Sequence, residues 1–294
     1  MTRNTRAIGW MVLSMACFAL SDAMIRIASE HIPVLQSVLA VTGGCLVLFW
    51  AMAYRAGVPI FSPNFFHPGV LMRNGAEALG MIAFSTALTM TAFVQVVAIG
   101  QAVPVIVTLG AVFILGETVG LRRWFAVFLG LAGVLVMLRP EGQLDAGSLM
   151  ALLGTFGLAM RDVFTRLAPP QVSVLQLATW AMAAVTAACI ALLSLRGGAT
   201  GFPPQTLPIL GFGILAHALA YIAITQSVRM APVSHVIPFR YSRLMFGTAI
   251  GVALFGETLE VRTIVGSLIV VAAGLYILHR ERHTPPLLNR DKGG

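Results

Sequence analysis

The chain has 294 residues, 58% of them hydrophobic and 10% charged, where soluble domains carry about 25% charged residues. That much apolar surface exceeds what a soluble core of this size can hide, so lipid must solvate a large part of it. The formal charge of +8 is almost all arginine set between apolar runs, with no basic-aromatic surface to carry nucleic acid, and nucleic acid is excluded as a partner.

Arg3 and Arg6 ahead of an apolar run have the form of a secretory signal. The run continues past Asp22 and Met24 with no cleavage site, so it is read as a first membrane span. A crossing helix needs about 20 apolar residues. Applied along the chain, that length predicts ten spans, at about 7–28, 33–54, 70–89, 92–115, 122–138, 148–167, 172–195, 206–228, 232–255 and 262–279. The uncharged stretch 78–116 is long enough for two crossings, and the polar patch at 86–91 is where it can fold back. Connections are short, which leaves no room for a soluble domain, and 283–294 form a polar cytoplasmic tail.

With the N-terminus inside, thirteen Lys and Arg residues fall on the inner side and four, Arg26, Arg139, Arg196 and Arg262, on the outer. The excess places both termini in the cytoplasm and requires an even number of spans. Cys17, Cys45 and Cys189 lie inside apolar runs, in no metal-ligand spacing, and read as small buried hydrophobes.

One phrase occurs twice. Leu115-Gly116-Glu117-Thr118 with Arg122 and a small-residue-rich run recurs as Phe255-Gly256-Glu257-Thr258 with Arg262 and a similar run. The chain is therefore a duplicated unit, 1–140 and 146–282. Five spans in each half give the halves opposite orientations, so the fold is all-α, ten transmembrane helices as two inverted five-helix repeats. Transporters place their sites between such repeats, around a central cavity.

These two phrases close the fourth and ninth predicted spans. With Pro104, Ala159-Met160-Arg161-Asp162 and Pro238-Phe239-Arg240-Tyr241, they resemble the EamA branch of the drug/metabolite transporter superfamily. The resemblance covers essentially the whole chain and implies a ten-helix secondary transporter working by alternating access. Gly9-Trp10, Ser21-Asp22-Ala23-Met24 and Arg240-Tyr241 look most like uptake-type members, whose solutes are S-adenosylmethionine or riboflavin. Related members export amino acids and other metabolites. Many relatives carry an arginine midway along the second span, where this chain reads Leu39-Ala40-Val41-Thr42.

Charge inside a span costs about 2.5–3.5 kcal/mol near the membrane centre, so each intramembrane charge is a candidate for function. Arg240 and Arg243 share a face of the ninth span and could meet a carboxylate, phosphate or electron-rich ring, with Tyr241 and Phe239 beside them; a structural ion pair is the rival. Glu77 could pair with Arg73 at the interface, pair with Arg240, or carry a proton. His217 could relay protons or stack on a solute, or be a hydrogen-bonded interior imidazole. Tyr221 lies one turn from His217, and Gln101 and Gln95 can hydrogen-bond a solute or a neighbouring helix.

Asp22, Arg26 and Glu30 read as an i,i+4 ladder at the outer boundary, with Asp22 alternatively in a gate. Arg161, Asp162 and Arg166 occupy the inverted counterpart of that ladder. Pro104 and Pro238 should loosen the fourth and ninth spans. Glu117 and Glu257 read as caps of the helices that follow them. Gly130, Gly133, Gly266 and Gly274 permit close packing of the fifth and tenth spans, or a homodimer.

The partners expected are thus the lipid bilayer and a small-molecule substrate, with proton coupling open. No P-loop is present to bind ATP, and no cofactor or metal motif. A membrane enzyme would need H-E-x-x-H, G-x-S-x-G or paired acids within a span, and the chain has none of these; a channel is the other remote alternative.

Overall fold

Every long apolar run becomes helix, since a backbone in lipid must satisfy its own N–H and C=O groups and an α-helix does so within one segment. The computed structural model describes residues 3–116, 121–138, 145–230 and 237–281. In chain order these form α1 (Arg3–Ala28), α2 (Val34–Arg55), α3 (Pro68–Met90), α4 (Phe93–Gly100), α5 (Val103–Phe113), α6 (Leu121–Leu138), α7 (Ala146–Thr165), α8 (Val174–Leu195), α9 (Thr206–Met230), α10 (Ser242–Phe255) and α11 (Val261–Glu281). Two short 3-10 turns, Pro63–Phe66 and Ile237–Tyr241, precede α3 and α10, and no strand occurs among the described residues. Glu117, His235 and the tail at 283–294 lie outside the described residues, as do the side chains of Arg122 and Tyr276.

Among the described residues, six segments are long and apolar enough to cross a membrane: 5–28, 34–55, 93–113, 146–165, 174–195 and 206–227. The third of these is broken where α4 meets α5. Gln101 and Ala102 turn there, and Pro104 sits in the first turn of α5, where its missing N–H costs nothing. The second break, between the 3-10 turn and α10, falls at nearly the same distance before Gly256 as the first does before Gly116. Both glycines adopt positive φ (69° and 61°), which glycine does at little steric cost; Gly256 caps the end of α10, and Gly116 follows the end of α5.

Helix starts are set locally. Ser173 and Gln176 form a reciprocal capping box on α8, and the Asp145 carboxylate accepts from the Ser148 amide at the start of α7. Packing between helices is long-range: α1 lies against α9, α2 against α8, α3 against α7, α4 against α10, and α6 against α11. Glycine makes the closest of these crossings. A Cβ on Gly80 would stand 2.7 Å from the Leu158 amide nitrogen, and one on Gly157 2.6 Å from the Gly80 backbone. Gly133 meets the Gly266 carbonyl and Val270 in the same manner, and Gly130 meets Val105. These two glycines therefore serve packing of α6 within the chain.

The outside of the bundle is apolar, with Val47, Phe125, Phe128, Leu215, Met245 and Leu268 mostly exposed, while Arg73, Asn74, Glu77 and Gln36 are buried. That inversion of soluble-protein burial is what lipid demands. The three cysteines are buried and free, as their apolar surroundings imply.

Candidate binding cavity

Helices α1, α3, α7, α8 and α9, together with the α4–α5 break and the turn leading into α10, surround a cavity of about 330 Å³. Eight of the residues singled out from the sequence line it: Asp22, Glu77, Gln101, His217, Tyr221, Arg240, Tyr241 and Arg243. They come from five places in the chain, and each faces inward because an unpaired charge or hydroxyl facing lipid would be costly.

The charged groups form two clusters. In the first, the Glu77 carboxylate, on a residue only 3% exposed, meets the Arg161 guanidinium at 3.1 Å and that of Arg73 at 3.7 Å. Arg161 also binds Asp162 at 2.8 Å, and Asp162 meets Arg240 at 3.5 Å. Arg73 donates to the Tyr221 hydroxyl at 2.7 Å, the Leu177 carbonyl at 3.1 Å and the Thr165 hydroxyl at 3.2 Å. The expected Glu77–Arg240 pair is not made, because α7 carries Arg161 and Asp162 in between. The interfacial Arg73–Glu77 pair exists but is buried, since α7 and α8 cover that face of α3.

In the second cluster Arg243 donates to Asp22, and its guanidinium lies over the rings of Phe84 (5.2 Å) and Phe18 (5.7 Å). His217 is set edge-on to Phe18 at 5.4 Å, with its Nδ1 3.2 Å from the Ser21 hydroxyl. Gln101 donates to the Val97 carbonyl and so closes the end of α4 at the helix break. The Tyr241 hydroxyl and Arg243 Nε are buried with no hydrogen-bond partner among the described residues.

Beyond the second cluster, one turn further along α1, Arg26 bonds Glu257 at 2.7 Å and lies over the Phe255 ring at 4.1 Å. The Asp22–Arg26–Glu30 ladder is thus replaced by pairs from α1 to the ends of α10, which packs beside it. Glu257 also corrects its expected role. Its carboxylate accepts from the Phe93 and Val94 amides at 2.6 and 2.9 Å, capping α4 in the other half of the chain rather than the helix that follows Glu257. Gln95 bonds Ser148 of α7 and Phe239 packs near Met11 and Met15, so neither is among the cavity residues.

The EamA-like transporter family model matches this chain twice, over residues 5–139 and 145–279. The chain belongs to the EamA-like transporter family. It is a multi-pass membrane protein and a transporter. It is 21% identical over 280 residues to a protein of Rickettsia prowazekii named S-adenosylmethionine uptake transporter, covering 94% of this chain and 93% of that one. It is 25% identical over 218 residues to a riboflavin transporter of Rhizobium johnstonii, with 72% and 70% covered. A solved crystal structure superposes with a TM-score of 0.64 over 96% of this chain and 100% of its own, at 14% identity, which speaks to the fold alone.

The transporter's cavity contains charges to which the sequence reading gives only boundary roles. Arg73, Arg161 and Asp162 lie near the ends of α3 and α7, where a charged helix end and a cavity group look alike in sequence. The signal that could have separated them was the number of intramembrane acids needed to balance Arg240 and Arg243. Phe18 and Phe84 carry no such signal, since an aromatic in an apolar helix reads as packing. None of Leu39, Ala40, Val41 and Thr42 of α2 lines the cavity; Thr42 instead accepts from Thr186 across the α2–α8 contact.

Proposed function

We propose that this protein is a secondary active transporter that moves a small organic metabolite across the cytoplasmic (inner) membrane by alternating access. The observation that carries the reading is the convergence of Asp22, Glu77, Gln101, His217, Tyr221, Arg240, Tyr241 and Arg243 on one cavity. These are the proposed substrate-binding or gating residues. A cavity of this volume is at the small end of the range for drug-sized ligands, about 300–1,000 Å³.

Taking α4 and α5 as one broken span gives ten, in two inverted five-span repeats at 1–140 and 146–282. Two features support that arrangement. Exchanging the halves turns the α1–α9 contact into the α7–α3 contact and the α5–α7 contact into the α10–α1 contact, and maps α2–α8 and α6–α11 onto themselves. The helix breaks also fall at matching distances before Gly116 and Gly256. Both termini face the cytoplasm in this reading, from the distribution of Lys and Arg.

The names of the relatives support uptake of an S-adenosylmethionine- or riboflavin-like solute, with export of a metabolite as the alternative direction. A proton gradient could drive it through Glu77 or His217. The test is counterflow in proteoliposomes: vesicles loaded with S-adenosylmethionine, riboflavin or a metabolite mixture should accumulate labelled solute saturably, and Arg243→Ala should abolish this. Absence of saturable exchange with every load would refute transport. For orientation, an impermeant maleimide on intact cells should label Gly198→Cys and not Gly57→Cys; the reverse would invert the topology.

A further inference from the structure

Among the described residues, four arginines and three carboxylates line the cavity: Arg73, Arg161, Arg240 and Arg243 against Asp22, Glu77 and Asp162. The lining therefore carries one positive charge in excess. Protonation of any carboxylate, or of His217, would only enlarge that excess, so its sign does not depend on the state of any group. Excess charge away from bulk water is unfavourable until something compensates it.

The geometry locates the excess. Asp22 and Arg243 neutralise each other, so the surplus lies among Arg73, Arg161 and Arg240, which share only Glu77 and Asp162. Arg161 has Glu77 at 3.1 Å and Asp162 at 2.8 Å, and Arg73, 3.7 Å from Glu77, fills its donors with Tyr221, Leu177, Thr165 and Asn74. Among the described residues Arg240 has only its 3.5 Å contact to Asp162, an acid that Arg161 already holds, and so has the fewest acceptors of the three. Beside it on the same turn are two buried polar atoms without partners among the described residues, the Tyr241 hydroxyl and Arg243 Nε, the latter able only to donate.

We propose that the transported solute is an organic anion whose carboxylate or phosphate is held by the 240–243 turn, with Arg240 as the principal contact and its apolar body against Phe18 and Phe84. The inference rests on the transporter reading and narrows it: a net-cationic solute such as a sulfonium would add to the excess, and an anion removes it. A riboflavin-like ring bearing an acidic group fits; S-adenosylmethionine does not.

The experiment is thermal stabilisation of the whole protein in nanodiscs by ring-matched sets of probes. These are indole-3-acetate, indole-3-acetamide and tryptamine; nicotinate and nicotinamide; flavin mononucleotide and riboflavin; and S-adenosylmethionine. The expected result is that at least one anion raises the unfolding midpoint and its neutral and cationic counterparts do not, the carboxylate and phosphate members telling which head group is preferred. Arg240→Gln should weaken that anion about ten- to hundredfold. Asp162→Asn, which enlarges the cationic excess while Arg161 keeps Glu77, should tighten it; this opposite sign separates a binding effect from damage to the fold. Equal response to neutral or cationic members, response to none, or weaker binding by Asp162→Asn overturns the inference. Saturable counterflow of a cationic or neutral solute would overturn it while leaving the transporter standing, and no counterflow at all would remove the transporter reading itself.

Discussion

Replacing Glu77 by glutamine removes the negative charge that the buried Arg73 and the partly buried Arg161 share. Glu77 is 3% exposed and lies 3.1 Å from Arg161 and 3.7 Å from Arg73. Breaking a buried ion pair by removing one partner costs about 3–5 kcal/mol, because the other charge stays buried without compensation. Both arginines keep other partners here. Arg161 retains Asp162 at 2.8 Å, and Arg73 retains the Tyr221 hydroxyl, the Leu177 carbonyl and the Thr165 hydroxyl. The cost should therefore fall at the low end, about 3 kcal/mol, which corresponds to a drop of roughly 6–12 °C in the unfolding midpoint at about 2–4 °C per kcal/mol. Thermal unfolding in nanodiscs, followed by tryptophan fluorescence, measures it. Glu77→Asp, which keeps the charge but shortens its reach, should lose less. A midpoint for Glu77→Gln within about 1 °C of wild type would mean that Glu77 does not hold α3 to α7, and the account of the first cluster would fail.

Three further outcomes follow from the same contacts. Gly80→Ala puts a methyl group 2.7 Å from the Leu158 amide nitrogen, backbone that cannot step aside cheaply, so it should cost about 1–3 kcal/mol in thermal unfolding; Gly75→Ala, with nothing within 4 Å, should be neutral or slightly stabilising. Glu257→Gln should lower stability by about 1–2 kcal/mol through the weakened cap on Phe93 and Val94, and Arg26→Ala by less; equal effects would place the role of Glu257 in the ion pair alone. Cys17, Cys45 and Cys189 are buried, so a maleimide should label none of them in the folded protein and all three after denaturation in detergent. Rapid labelling of folded protein would contradict the packing around them.

The apolar helices, their order and the two breaks are legible in the sequence because they depend on local quantities. An apolar run about 20 residues long has one solution in lipid, and a proline or a positive-φ glycine acts within a turn of itself. The eight cavity residues are legible for a related reason. Groups such as Arg243, Glu77 and His217 cannot face hydrocarbon, so they must face one another or a solute, and the inside of the bundle is the only place left.

Which of them meet is a different matter. Glu77 pairs with Arg161 rather than Arg240, Asp22 with Arg243 rather than Arg26, and Glu257 caps α4, some 160 residues earlier in the chain, rather than its own next helix. Each depends on which helices lie side by side, and that choice rests on surface fit, such as Gly80 against Gly157, which no window of sequence contains. The sequence by itself determined a bundle of apolar helices with charges that must turn inward. The tertiary structure alone decided the pairing of those charges, and with it the arginine left with the fewest acceptors, because electrostatic partners are set by distances of a few ångströms between segments far apart in the chain.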